Sequence, residues 1–315
     1  MSDRINFVYI MGHGYSGSTL LTFLLGAHPQ IATIGELYIA PRAKTRPEEF
    51  LCSCKTPIRD CGFWQRVTSG MEERGQPFDV WDSDLEFRAH GGGGVTGLGG
   101  IADVILRAVQ RGPVLETARK IGLKVIPRAR REQARLLRRH EALVRTIAGI
   151  QGTGTFLDSS KRPERAVYMQ RIPAFDMKVI HLVRDGRAVA NSSMKNLGVG
   201  PEAAADSWVA DNRASELARR HFPADRWMFL RYEDLCSDPD AKLKQVYDFI
   251  GVPAGSGVRD FRSVEQHIIG NRMRLSTTSE IRLDEKWKET LTREQRAVIE
   301  PRVTPLNRRY GYGSV

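Results

Sequence analysis

The segment Gly12-His13-Gly14-Tyr15-Ser16-Gly17-Ser18-Thr19 has residue types and spacing suited to holding an anion. It reads G-x4-G-x-[ST]. An unbroken apolar run at residues 7–11 precedes it, and residues 18–27 follow with leucines at helical intervals. Successive backbone N–H groups in such a turn, together with the positive end of the helix behind it, cradle phosphate-like groups. Its glycines let the backbone come close to the oxygens. Where a P-loop nucleotide hydrolase carries a lysine reaching the terminal phosphates, this chain has Ser18. The loop therefore suits an anionic tail of lower charge than a triphosphate, held by amides and hydroxyls without an obligatory Mg²⁺.

A second anion clamp is encoded further along. Arg184 follows the apolar run at residues 178–183, and Ser192 lies eight residues later on the next helix-patterned segment. A guanidinium offers bidentate contacts to phosphate, and a hydroxyl adds a third. A triphosphate needs no separate clamp of this kind, whereas a nucleotide with its own 3'-phosphate does. The plainer alternative is a structural ion pair between Arg184 and Asp185 or a neighbour.

Together these segments resemble the 5'-phosphosulfate loop and the 3'-phosphate motif of sulfotransferases. The stretch up to Arg42 resembles the start of tyrosylprotein sulfotransferases and their Golgi or bacterial relatives, whose pattern is G-x-x-R-S-G-[ST]-T-L-[LM]…H-P…G-E. The resemblance continues in Asp158-Ser-Ser-Lys161, Arg231-Tyr-Glu-Asp234, Gly270-Asn-Arg-Met-Arg274, Glu285-Lys-Trp287 and Arg309-Tyr-Gly-Tyr312, but not through residues 43–150. It implies the donor PAPS (3'-phosphoadenosine-5'-phosphosulfate), the product nucleotide PAP, a hydroxyl acceptor and no metal. It further implies that Gly14, Tyr15, Ser16, Gly17, Ser18 and Thr19 surround the 5'-phosphosulfate. Arg184 and Ser192 would hold the 3'-phosphate, Tyr232 would approach the adenine, and Arg272, Arg274 and Lys286 would close over the nucleotide. Glu36 falls where the family keeps a catalytic carboxylate. Transfer to a hydroxyl requires a base, so Glu36 is the expected general base, with His13 and His28 as rivals. Tyr15 departs from the pattern, because the family has Arg or Lys there to stabilise charge on the transferring group. Lys161 is the first candidate to replace that cation, followed by Arg42 and Arg171.

Positioning these residues requires strands that end beside one another. Short apolar runs at 155–157, 178–183 and 227–230 alternate with helical patterns at 186–195 and 240–250. That alternation predicts an α/β fold: a P-loop-like parallel sheet flanked by helices on both faces. Residues 1–315 are expected to form a single domain, with a largely helical insertion at about 43–150. Residues 40–100, including the glycine run at 91–94, read as a mobile loop. Residues 101–150 read as helical, broken near 122–127.

Of 315 residues, 41% are hydrophobic and 27% charged, which excludes a disordered chain. The net charge of +11 favours anionic partners, yet no basic motif interleaved with aromatics recommends nucleic acid. No window reaches 18 apolar residues and no signal-peptide pattern opens the chain. The expectation is a cytoplasmic protein, with peripheral membrane contact left open and the oligomeric state not legible. Cys52, Cys54 and Cys61 are spaced C-x-C-x6-C, which lacks the paired C-x2-4-C of structural zinc sites. A structural or partly paired cluster of thiols, in preference to a metal site, is the expectation there. Two rival functions remain: a small-molecule kinase, against which Ser18 argues, and a nucleotide-binding homologue without catalysis, which Tyr15 favours.

Overall fold

Alternate side chains of strand β1 (Ile5–Gly12) face opposite ways, and both faces are apolar. Phe7, Tyr9 and Met11 enter one core, and Val8 and Ile10 enter another. A strand buried on both faces belongs at the centre of a parallel sheet covered by helices. The computed structural model describes residues 4–37, 46–87, 98–106, 113–256 and 260–313. In chain order, β1 is followed by α1 (Ser18–Gly26), β2 (Ile31–Thr33), α2 (Gly62–Glu72), α3 (Leu98–Leu106), α4 (Pro113–Val125) and α5 (Pro127–Gln151). Next come β3 (Thr155–Lys161), α6 (Pro163–Met169), β4 (Phe175–Val183), α7 (Gly186–Leu197) and α8 (Pro201–Arg219). The chain ends with β5 (Trp227–Arg231), α9 (Tyr232–Ser237), α10 (Pro239–Ile250), α11 (Trp287–Thr290) and α12 (Arg293–Arg309).

The sheet order is β2-β3-β1-β4-β5, and every pairing is parallel. The expected α/β architecture is therefore present. Helices α2, α5 and α6 cover one face, while α1 and α10 cover the other. Because the strands run in one direction, their C-terminal ends form a single edge. Met11 lies opposite Lys161, Gly12 opposite Leu182, and Val183 opposite Arg231. The anion loop, Lys161, Arg184 and Tyr232 all emerge from that edge, where open α/β sheets bind ligands.

Two local expectations are corrected. Strand β3 does not stop at Leu157 but runs on through Asp158-Ser159-Ser160, which are buried. Asp158 Oδ1 accepts the N–H groups of Leu37 and Ser160 inside the protein, so polarity does not end the strand. It ends at Lys161, whose φ of 70° is left-handed. Residues 62–72, read as loop, form α2, whose Phe63, Trp64, Val67 and Met71 face the core at helical spacing. The glycine run at 91–94 lies outside the described residues. The expected helical break falls at Ile126, with Pro127 opening α5 at a position that needs no N–H. Among the described residues, no helix is long and apolar enough to cross a membrane.

Candidate active site

β1 delivers the loop directly onto α1. Gly17 is the N-cap residue of α1 at φ 89°, and no side chain caps that helix. The N–H groups of the first turn are thus available to an anion. The Ser16 hydroxyl is buried without a hydrogen-bond partner among the described residues, and Ser18 and Thr19 are buried in the first turn. A Cβ at Gly17 would overlap Cδ2 of Tyr232, so the loop lies directly against that ring. Gly17→Ala must therefore meet both a left-handed backbone and a clash, together about 2 kcal/mol or more. Its melting temperature is expected to fall by roughly 4 °C or more. Gly14→Ala meets open space and should shift stability by less than about 0.5 kcal/mol. Thermal denaturation of the two variants checks this contrast.

Arg184 links this loop to the second clamp. Its guanidinium donates to the Tyr15 carbonyl at 3.2 Å and to the Asp284 carbonyl at 2.6 Å, and it lies 4.6 Å from the Tyr232 ring centroid. Its Nε is buried without a hydrogen-bond partner among the described residues. Of the pairings in the plainer alternative, the one with Asp185 does not occur. Asp185 instead holds Arg187 at 2.6 Å, accepts from Asn307 at 3.0 Å and caps α7 through the Arg187 N–H. The carboxylate facing Arg184 is that of Asp284, at 3.2 Å, a partner sequence reasoning did not identify. Ser192 sits on the second turn of α7, half-buried, with its hydroxyl donating to the Ala188 carbonyl at 2.9 Å. Burial pushes the Tyr232 phenol well above its ordinary range, so it stays protonated and donates to the Arg282 carbonyl at 3.2 Å.

Glu36 and Lys161 meet at the same edge. Lys161 Nζ donates to Glu36 Oε1 at 2.6 Å, and both side chains are only partly exposed. The backbone fixes Glu36 from two sides. The Ser159 N–H donates to the Gly35 carbonyl at 2.8 Å, and the Glu36 N–H to the Ile269 carbonyl at 3.2 Å. Asp158 adds a third hold, accepting the Leu37 N–H at 3.2 Å and the Ser160 N–H at 2.9 Å. Burial pushes the Asp158 carboxyl upward, against the opposing pull of Arg165, 3.8 Å away, and of its hydrogen bonds. This positioning role was missed, although the polar run at the end of β3 signalled it.

Other sequence candidates are placed elsewhere. Arg274 is buried, and its guanidinium donates to the carbonyls of Leu51 and Gly270 while lying 4.2 Å from the Phe50 ring centroid. It fastens the C-terminal segment to residues 50–51 instead of closing over a ligand. Arg272 and Lys286 are exposed. Arg171 stands over Tyr168 after α6, where the chain enters β4, at the end of the sheet opposite the loop, and so does not replace the missing cation. Arg42 lies outside the described residues. His13 points to Asp211 of α8 at 2.6 Å. His28 is buried and its ring bonds the Pro253 carbonyl at 2.9 Å, which removes it as a base.

At the C-terminal edge of the parallel sheet the glycine loop, Arg184 and the Glu36–Lys161 pair lie together, and Ser18 stands where a P-loop carries its lysine. Residues 110–255 match the profile of the sulfotransferase family. Carbohydrate sulfotransferase 2 of Homo sapiens is 30% identical over 136 residues, covering 29% of this chain and 26% of that protein. Carbohydrate sulfotransferase 3 of Homo sapiens is 26% identical over 165 residues, covering 44% and 34%. The chain thus spans about a quarter to a third of the length of these relatives. The sulfotransferase domain of the Synechococcus PCC 7002 olefin synthase superposes with a TM-score of 0.51 at 20% identity, covering 99% of this chain and 97% of that one, and so shares the fold. Over the matched residues the chain is thus similar to sulfotransferases, and over its whole length it shares the fold of a sulfotransferase domain.

Proposed function

We propose that this protein transfers a sulfonate group from PAPS to a hydroxyl acceptor. The observation that carries the reading is Arg184, whose guanidinium touches the Tyr15 carbonyl of the anion loop while standing at the head of the second clamp. One bisphosphorylated adenosine spanning both sites fits that adjacency. The Ser16 hydroxyl and Arg184 Nε, both buried and without a hydrogen-bond partner among the described residues, are donors suited to its two phosphoryl ends. In this reading the amides and hydroxyls of residues 14–19 hold the 5'-phosphosulfate, Arg184 and Ser192 hold the 3'-phosphate, and Tyr232 backs the loop beside the adenosine.

The reaction is an in-line displacement at sulfur. The acceptor oxygen forms its bond to sulfur as the bond between sulfur and the 5'-phosphate oxygen breaks, releasing PAP. Glu36 takes the acceptor proton. Lys161, held within hydrogen-bond distance of Glu36, supplies the positive charge that Tyr15 does not, stabilising developing negative charge on the transferring group and the departing oxygen. Alignment and charge stabilisation provide most of the rate. Sugar hydroxyls are the first acceptors to test, because the relatives named above are carbohydrate sulfotransferases.

Isothermal titration separates this reading from the kinase alternative. PAP is expected to bind at least 100-fold more tightly than ATP–Mg²⁺, since the chain carries a 3'-phosphate clamp and no lysine at Ser18. Tighter binding of ATP–Mg²⁺ would favour the kinase.

A further inference from the structure

Cys52, Cys54 and Cys61 share their cluster with a residue that no local spacing could reveal. His267 reaches in from 206 positions beyond Cys61, and the four ligand atoms lie within 4.8 Å of one another. We propose that Cys52, Cys54, Cys61 and His267 form a structural zinc site. This stands independently of the catalytic reading.

Three distances between ligand atoms are close to those around a tetrahedral ion. Bonds of the length zinc makes to thiolate and imidazole place neighbouring sulfurs about 3.8 Å apart and a sulfur and nitrogen about 3.5 Å apart. Here Cys54 Sγ is 3.6 Å from Cys61 Sγ, and His267 Nδ1 is 3.3 Å from Cys61 Sγ and 3.7 Å from Cys52 Sγ. All three cysteines are free thiols. Cys52 and Cys61 are buried, and the His267 side chain is 12% exposed. The surroundings orient the ligands. Residues 52–56 make a tight turn, with the Lys55 N–H on the Cys52 carbonyl and the Cys52 N–H on the Thr56 carbonyl, both at 2.9 Å. Lys55 adopts φ 69° to complete it, bringing Cys52 and Cys54 to one side. Cys61 is the N-cap residue of α2. Phe63 stacks on the His267 ring at 4.5 Å, and the other ring nitrogen lies 3.4 Å from Glu265, as an imidazole ligand requires of its outer partner. Three sulfurs and one nitrogen select a soft, four-coordinate cation and leave no open position, which marks the site as structural.

The ion would tie residues 52–61 to the segment at 265–270. That segment is also joined by Ser53, whose hydroxyl bonds the Gln266 carbonyl and accepts the Ile268 N–H at 2.7 Å. Its next residue, Ile269, hydrogen-bonds to Ile34 and Glu36. The zinc would thus brace the shelf on which Glu36 stands.

The test is metal analysis of the full-length chain, purified under reducing conditions without chelator. About one zinc per chain is expected. Titrating the thiols with a mercurial should release that zinc in step with about three cysteines, and exchange with Co²⁺ should give the intense thiolate charge-transfer and tetrahedral d–d bands of an S₃N site. His267→Ala is expected to weaken Co²⁺ binding at least 100-fold. If that variant does not fold, the mercurial titration of the unaltered chain still decides. A chain without zinc that gives no cobalt–thiolate band when reduced, or a Cys54–Cys61 disulfide persisting in reduced protein, would overturn the assignment.

Discussion

Replacing Arg184 with alanine is expected to weaken PAP binding by roughly 100-fold or more, while changing the affinity of AMP, which lacks the 3'-phosphate, by less than about threefold. The guanidinium is 7% exposed and faces Asp284, not Asp185, which is committed to Arg187, so a second phosphate at the end of β4 would take the place of the Asp284 carboxylate. Truncating one partner of a desolvated, hydrogen-bonded charge pair typically costs about 2–5 kcal/mol. Arg184 also bonds the Tyr15 carbonyl and packs on Tyr232, so some loosening of the loop will accompany the change. That loosening would weaken both nucleotides alike, which is why the ratio of the two affinities is the informative quantity. Arg184→Lys keeps the charge but not the planar fork and should fall between. Titration calorimetry with both nucleotides measures the ratio. Equal losses for PAP and AMP would show that Arg184 shapes the loop and does not hold the 3'-phosphate.

Glu36→Gln is expected to lower kcat by about 10²- to 10⁴-fold while leaving PAP affinity within a few fold. The amide preserves the shape of the side chain and cannot accept the acceptor proton. The Glu36–Lys161 pair is partly solvated, so its loss should cost only about 1 kcal/mol of stability or less. Lys161→Met should also lower kcat with PAP binding retained. The double variant should lose less than the product of the two single effects, because the groups touch and act on one reacting centre. Initial rates with labelled PAPS and a sugar acceptor provide the readout. Activity of Glu36→Gln within threefold of the unaltered protein would remove Glu36 from the mechanism.

The parts of this site that could be read from sequence are those encoded by short contiguous patterns. β1, its loop and α1 were legible because an apolar run, a glycine turn and a leucine-patterned helix follow one another. Arg184 was legible because it directly follows an apolar strand. What escaped depends on residues meeting across long separations. Nothing local says that Asp185 turns to Arg187 and Asn307, leaving Arg184 to Tyr15 and Asp284. Arg274 looked like a ligand-closing residue because exposure cannot be read from an Arg-rich run, yet it is buried beneath Phe50. Polar residues within β3 looked like a strand end because the bond from the Leu37 N–H to Asp158 that holds them inside is tertiary. His267 is separated from the cysteines by most of the chain. By contrast, the pairing of Glu36 with Lys161 was anticipated only as two separate roles, and the register Met11↔Lys161 is what unites them.

Diffraction from crystals grown with PAP offers the most direct trial of the two-clamp geometry. One nucleotide should lie across the C-terminal edge of the sheet, its 5'-phosphate on the N–H groups of residues 14–19 and its 3'-phosphate on Arg184 and the Ser192 hydroxyl. A complex in which the 3'-phosphate points into solvent, with Arg184 still turned to Asp284, would contradict the account.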